Sequence, residues 1–219
     1  MNGCFVVPYR NREEHLKQFV RHYRKLIPEL PIYVIEQDDD KHFNRAKLFN
    51  CFFLEEGHKY DYAIYHDVDM YLMSRTNPSE AFSYPVNPTH LASYISQFNQ
   101  GPRRNPDTWK ESYPVYFGGV CALSKDQMNE CNGWDNDIWG WGYEDDAMRK
   151  RLDKSGKSID RRKCYFMCED HPREFAISEM KNSKEVLLNT DLTKGLSTCV
   201  YTVTGREKFD KYELIKVSL

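Results

Sequence analysis

The stretch Cys4-Phe5-Val6-Val7-Pro8-Tyr9-Arg10-Asn11-Arg12-Glu13-Glu14 decides the reading of the fold. Its first half is an unbroken apolar run of strand length, the pattern of a strand covered on both faces. Asn11 and Glu14 stand at capping-box spacing for a helix whose face is marked by Leu16, Phe19, Val20 and Tyr23. Pro28 and Pro31 close that helix, and Ile32-Tyr33-Val34-Ile35 reads as a second strand. Strand, helix, strand in this order predicts an α/β fold built on a parallel sheet.

The pattern continues outward. Asn44 is placed to cap a helix with Leu48, Phe49, Phe52 and Phe53 at helical spacing, and Gly57 stops it. Tyr62-Ala63-Ile64-Tyr65 is a third strand that delivers Asp67-Val68-Asp69 at its carboxyl end, the end where open α/β sheets bind ligands. Arg10 and Arg12 follow the first strand, so these cations and carboxylates are expected on one rim. Residues 74–112 are loop-rich, and Arg103 and Arg104 within them read as solvated. Residues 115–123 read as a strand carrying Gly118-Gly119, followed by a short helix with a Ser124/Gln127 capping box. A further helix is expected from Glu144, with acids in its first turn, basic residues later and Gly156 as its stop, a charge order suited to the dipole. Residues 164–168 and 197–204 read as strands.

With 219 residues, the chain is expected to form one domain over 1–219. A net charge of -2 supplies no basic field for nucleic acid or anionic membranes. No apolar run reaches the length of a membrane span, and seven cysteines without zinc spacing suit a reducing compartment, so a cytoplasmic protein is expected. Aromatic residues make up 14%, with 15 tyrosines, a content that suits a ring-binding surface.

Chemistry concentrates in two places. In Asp67-Val68-Asp69 alternate residues share a face, so two carboxylates can serve one divalent ion, although exposed acids at a strand end are the commoner explanation of such a pair. In Trp139-Gly140-Trp141-Gly142-Tyr143-Glu144-Asp145-Asp146 the glycines flanking Trp141 suit a hinged lid, and the following acids include a candidate general base. Against this stands the plain alternative of an acidic first helical turn. Glu169 and His171 alternate after an apolar segment, which suits manganese; taken alone, that histidine is more often an ordinary one.

Together and in order, five stretches resemble the β-1,4-galactosyltransferase family of inverting glycosyltransferases. They are Pro8-Tyr9-Arg10-Asn11-Arg12-Glu13-Glu14-His15-Leu16, Phe43-Asn44-Arg45-Ala46-Lys47-Leu48, Asp67-Val68-Asp69, Tyr116-Phe117-Gly118-Gly119-Val120, and Trp139-Gly140-Trp141-Gly142 with Glu144-Asp145-Asp146. The resemblance implies a GT-A-like domain with a mostly parallel central sheet flanked by helices, made of a nucleotide-binding half (1–73) and an acceptor and catalytic half (113–219). It implies transfer of galactose from UDP-galactose to a sugar hydroxyl with Mn2+ as cofactor, and a glycan or glycoside as acceptor. Donor contacts are carried over to Arg10, Arg12, Phe43, Arg45, Asp67, Tyr116, Gly119 and Trp141. Acceptor contacts fall on Trp141, Glu144, Asp145 and Asp146, with Asp145 as the catalytic base. Asp69, His171 and Glu169 are the implied metal ligands, with Cys168 the alternative to Glu169.

The bulk of Tyr116 favours galactose over N-acetylgalactosamine. The alternatives are a transferase using UDP-GalNAc or UDP-glucose, or a non-catalytic relative that binds glycans or sugar nucleotides. Family members of the Golgi make a trimmed lumenal enzyme the alternative to a cytoplasmic one. Three departures stand out. Met167-Cys168-Glu169-Asp170-His171 matches neither usual metal segment, Tyr143 replaces a common glycine, and residues 77–112 are longer than in relatives.

Overall fold

The computed structural model describes residues 1–99, 105–169 and 177–219. Strand β1 (Gly3–Tyr9), helix α1 (Glu13–Leu26) and strand β2 (Ile32–Gln37) form the opening unit, with Phe5 opposite Ile32 and Tyr9 opposite Glu36 in parallel register. The apolar run of β1 has a direct cause. Phe5 and Val7 pack with Phe19, Val20 and Tyr23 of α1 on one face, while Cys4 and Val6 pack with Leu48, Phe49 and Phe52 of α2 (Arg45–Glu55) on the other. Strand β3 (Tyr62–His66) lies on the opposite side of β1 from β2, also parallel. The order β2-β1-β3 reverses the direction in which the sheet grows, and such a reversal opens a crevice beyond the strands' carboxyl ends.

The remaining elements are β4 (Met70–Leu72), α3 (Pro78–Ala81), β5 (Thr89–His90), β6 (Tyr94–Ile95), β7 (Val120–Ser124), α4 (Lys125–Glu130), α5 (Glu144–Lys154), β8 (Asp160–Arg161), β9 (Tyr165–Cys168), α6 (Ile177–Asn189), β10 (Thr202–Lys208) and β11 (Glu213–Ser218). They complete a main sheet of order β10-β11-β2-β1-β3-β7-β5-β8 and a small sheet β4-β9-β6. Four of the seven pairings in the main sheet are parallel, and the three antiparallel ones lie outside its β11-β2-β1-β3 centre.

Several expectations change. The capping box at Asn11 and Glu14 is absent: Arg12 is the N-cap, no side chain bonds the helix end, and Asn11 takes a left-handed φ of 51° in the turn. The strand expected at 115–123 begins only at Val120, because Gly119 has a φ of 78° and cannot continue a pleat. It also runs antiparallel to β3, with His66 opposite Val120, so its amino end meets the carboxyl end of β3 and residues 116–119 fall on the site rim. The strand expected at 197–204 is a 3-10 turn at Leu196–Thr198 followed by β10. Helix α6 and strand β11 were not anticipated.

The caps expected at Asn44 and Ser124 are both present. Asn44 is fully buried; its Oδ1 accepts from the Lys47 amide at 2.8 Å, and its Nδ2 donates to the Asn136 carbonyl at 2.7 Å. Asn44→Ala is therefore expected to cost about 2–4 kcal/mol, combining a lost cap with a stranded buried carbonyl. Urea unfolding checks this, and a loss under about 1 kcal/mol contradicts it.

Candidate active site

The crevice at the β1/β3 reversal is a cavity of about 850 Å3. Into it converge the turn after β1 (Arg10, Arg12), the amino end of α2 (Phe43, Arg45), the turn after β3 (Asp67, Asp69), the segment before β7 (Tyr116, Gly119) and the approach to α5 (Trp141, Glu144, Asp145). Eleven of the sequence-predicted site residues thus line one space. Asp146 does not line it, and His171, like Asp170, Arg103 and Arg104, lies outside the described residues.

Arg45 sits at the centre. Its side chain is 10% exposed, its Nε lies 2.6 Å from Asp67 Oδ1 and its Nη1 lies 2.7 Å from Asp145 Oδ1 and 3.6 Å from Glu144 Oε1. The guanidinium also lies over the rings of Phe49 at 4.9 Å and Trp134 at 5.7 Å. One cation thus faces three carboxylates in a half-dry space. Burial pushes the Asp67 carboxyl up to about 6 against the pull of Arg45. Burial and the neighbouring Asp145 push Glu144 up to about 8, and its Oε2 is buried with no hydrogen-bond partner among the described residues. Tyr116 is raised by burial and then by Asp145, which keeps its phenol protonated.

Asp145 and Tyr116 are held close by Gly118. A β-carbon there would come 2.3 Å from Asp145 Oδ2 and 2.7 Å from the Tyr116 ring, so only glycine allows the two to flank the same backbone. The acids reach the rim because α5 starts at Glu144, with Tyr143 as its N-cap in the left-handed region at φ 72°. Trp141 is 44% exposed between Gly140 and Gly142, both at positive φ, and the Gly140 amide donates to the Phe43 carbonyl at 2.8 Å. Arg10 lies over the Phe43 ring at 5.4 Å.

On the metal side, Asp69 is buried and the Cys168 thiol donates to its Oδ2 at 3.6 Å. Cys168 lines the cavity, whereas the Glu169 carboxylate lies 3.7 Å from His15 and is not among the lining residues. Among the described residues no three His, Cys, Asp or Glu side chains converge as a metal site. The cavity wall also includes Gln97, Phe98 and Tyr113, which the sequence reading did not select. Tyr113 stands three residues before Tyr116 in the same turn, a spacing that is visible in the chain; Gln97 and Phe98 sit in a stretch without periodicity.

A pH effect follows from Glu144. Its carboxyl is raised in the fold, so its stabilising contribution is full below the ordinary carboxyl range and is lost as pH rises through about 8. Glu144→Gln is expected to shrink the fall in melting temperature between pH 5 and pH 9, and equal slopes in the two proteins would contradict this.

Residues 1–79 match the family model described as the N-terminal region of glycosyl transferase group 7, and residues 104–172 match the one described as the N-terminal domain of galactosyltransferase. Beta-1,4-galactosyltransferase 1 of Bos taurus is 33% identical over 234 residues, covering 99% of this chain and 54% of that protein. Beta-1,4-galactosyltransferase 4 of Homo sapiens is 34% identical over 227 residues, covering 98% and 62%. The chain thus spans between half and two thirds of the length of these relatives. The catalytic domain of Drosophila β-1,4-galactosyltransferase 7, in complex with xylobiose, superposes with a TM-score of 0.80 at 26% identity, covering 100% of this chain and 94% of that one. A mutant of the same Drosophila enzyme, in complex with manganese, UDP-Gal and xylobiose, gives 0.81 at 25% identity over the same shares. Matched along nearly its whole length in sequence and in the GT-A architecture, the chain belongs to the β-1,4-galactosyltransferase family.

Proposed function

We propose that the protein is a metal-dependent inverting glycosyltransferase that moves galactose from UDP-galactose to a sugar hydroxyl, forming a β-1,4 linkage. The observation that carries this reading is Arg45 bonded at once to Asp67 and Asp145 across the cavity, which ties the donor-side acid to the proposed base. The Drosophila relative bound to manganese, UDP-Gal and xylobiose supports the donor and the class of acceptor.

In this reading Arg10 and Arg12 meet the diphosphate and Phe43 stacks on the uracil, since a guanidinium fork and an aromatic face suit those groups. Asp67 meets the donor's sugars. Trp141 and the acids at the start of α5 seat the acceptor. Asp145, oriented by Arg45, takes the proton of the acceptor hydroxyl as that oxygen attacks the anomeric carbon. The carbon–oxygen bond to UDP breaks on the opposite face, UDP departs with the electron pair, and the configuration inverts. A divalent ion such as Mn2+ would suit the carboxylate that Asp69 offers at the cavity wall, where Cys168 also stands; His171 and Glu169 are the further ligands that the family resemblance implies. Such an ion supplies positive charge to the departing diphosphate.

Two outcomes are expected. Asp145→Asn lowers transfer by about 10² to 10⁴, the usual worth of a general base, while UDP binding changes little. Full activity in that variant sinks the assignment. Tyr116→Leu admits UDP-GalNAc, read as the ratio of kcat/KM for the two donors; an unchanged ratio contradicts the role of Tyr116. The reading as a whole is checked by UDP release with Mn2+ and each UDP-sugar over xylose, glucose and GlcNAc glycosides. Release with no donor on any acceptor rules it out.

A further inference from the structure

Residues 111–119 form no strand or helix, yet they carry Tyr116 into the cavity. Their backbone polar groups therefore need partners from elsewhere. One side chain, Arg161 of β8, serves three of their carbonyls and does not line the cavity. Its Nη1 donates to the Tyr116 carbonyl at 2.9 Å and the Pro114 carbonyl at 3.3 Å. Its Nη2 donates to Ser112 Oγ at 2.7 Å and the Ser112 carbonyl at 3.4 Å, and its Nε lies 3.2 Å from Glu111 Oε1. The register partner of Arg161 across the parallel β5–β8 pair is His90. His90 donates from Nε2 to the Gly118 carbonyl at 3.0 Å, and its ring meets the Tyr116 ring edge-on at 5.3 Å. Two neighbours on the sheet edge thus hold the peptide carbonyls on either side of Phe117. The Gly118 backbone runs so near Asp145 and Tyr116 that a β-carbon would meet both, so a small shift of this segment changes the spacing of the two side chains.

We propose that Arg161 is a positioning residue for donor selection: from behind the cavity wall it fixes the Tyr116 backbone and so sets the gap between the Tyr116 ring and Asp145 that a donor's C2 substituent must pass. This rests on the reading of Tyr116 as the gauge of the donor sugar. The role requires arginine. A planar fork reaches three backbone carbonyls and a hydroxyl at once, whereas a lysine ammonium is a point donor on a flexible stem.

The test compares wild type, Arg161→Lys, Ser112→Ala and Glu111→Gln with UDP-galactose and UDP-GalNAc. Arg161→Lys is expected to raise the donor KM more than it lowers kcat and to reduce the galactose preference roughly tenfold. Ser112→Ala, which removes one of the bonds, shifts the preference in the same direction by a smaller factor. Glu111→Gln, which leaves the carbonyl bonds in place, keeps the preference. In a Tyr116→Leu background Arg161→Lys adds no further change to the ratio, as expected if it acts through Tyr116. A variant that only melts earlier with its donor ratio intact overturns the proposal. A wild type that transfers neither sugar overturns the functional reading instead. The positioning role is then read without substrate, by fluorotyrosine NMR with the Tyr116 resonance assigned from Tyr116→Phe. Arg161→Lys and Ser112→Ala move or broaden that line, and an unchanged line in both overturns the proposal.

Discussion

The arrangement of the site depends on a single guanidinium being buried where three acids need it. Arg45 is nearly enclosed, and a charge so placed is tolerated only when paired and hydrogen-bonded. Its two short contacts reach the turn after β3 and the start of α5, elements far apart along the chain. Glu144 completes the set at 3.6 Å, leaving the cluster one cation against three carboxyls and pushing part of the acid group towards its neutral form. Arg10 and Arg12 stand on the same wall, so the cavity presents cations and carboxyls side by side.

The second determinant is strand polarity. Parallel β1 and β3 send Arg10, Arg12 and Asp67 to one rim through their carboxyl ends, while antiparallel β7 sends Tyr116 and Gly119 to the same rim through its amino end. A parallel β7 would have placed those residues at the far side of the sheet. The reversal of one strand thus lets the segment with Tyr116 face the acids at the start of α5, and Gly118 makes that approach close enough to matter.

How much of this was legible follows from where the signals lie. The opening β-α-β unit, the Asn44 and Ser124 caps and the rim of cations and acids are local patterns, readable from apolar runs, capping residues and strand ends. The family motifs then named eleven of the lining residues. Strands of two residues such as β5 and β8 carry no period, and β11 is a short alternation that only its pairing with β2 makes a strand. Arg161 was invisible for another reason: its role lies in carbonyls more than forty residues away, and no local pattern marks an arginine that bonds backbone. The direction of the Glu169 carboxylate towards His15 was likewise a matter of tertiary contact.

The placement of β11 also bears on how the protein is made. This strand, from residues 213–218, sits between β2 and the edge strand β10, and Leu219 donates its amide to Asp39 Oδ2 at 2.6 Å. Until residues 213–218 have emerged from the ribosome, β2 therefore presents an open hydrogen-bonding edge, although β1, β2 and β3 are already made. The first half cannot close its sheet until that strand arrives. Until then the bare edge of β2 is a template on which another chain can pair.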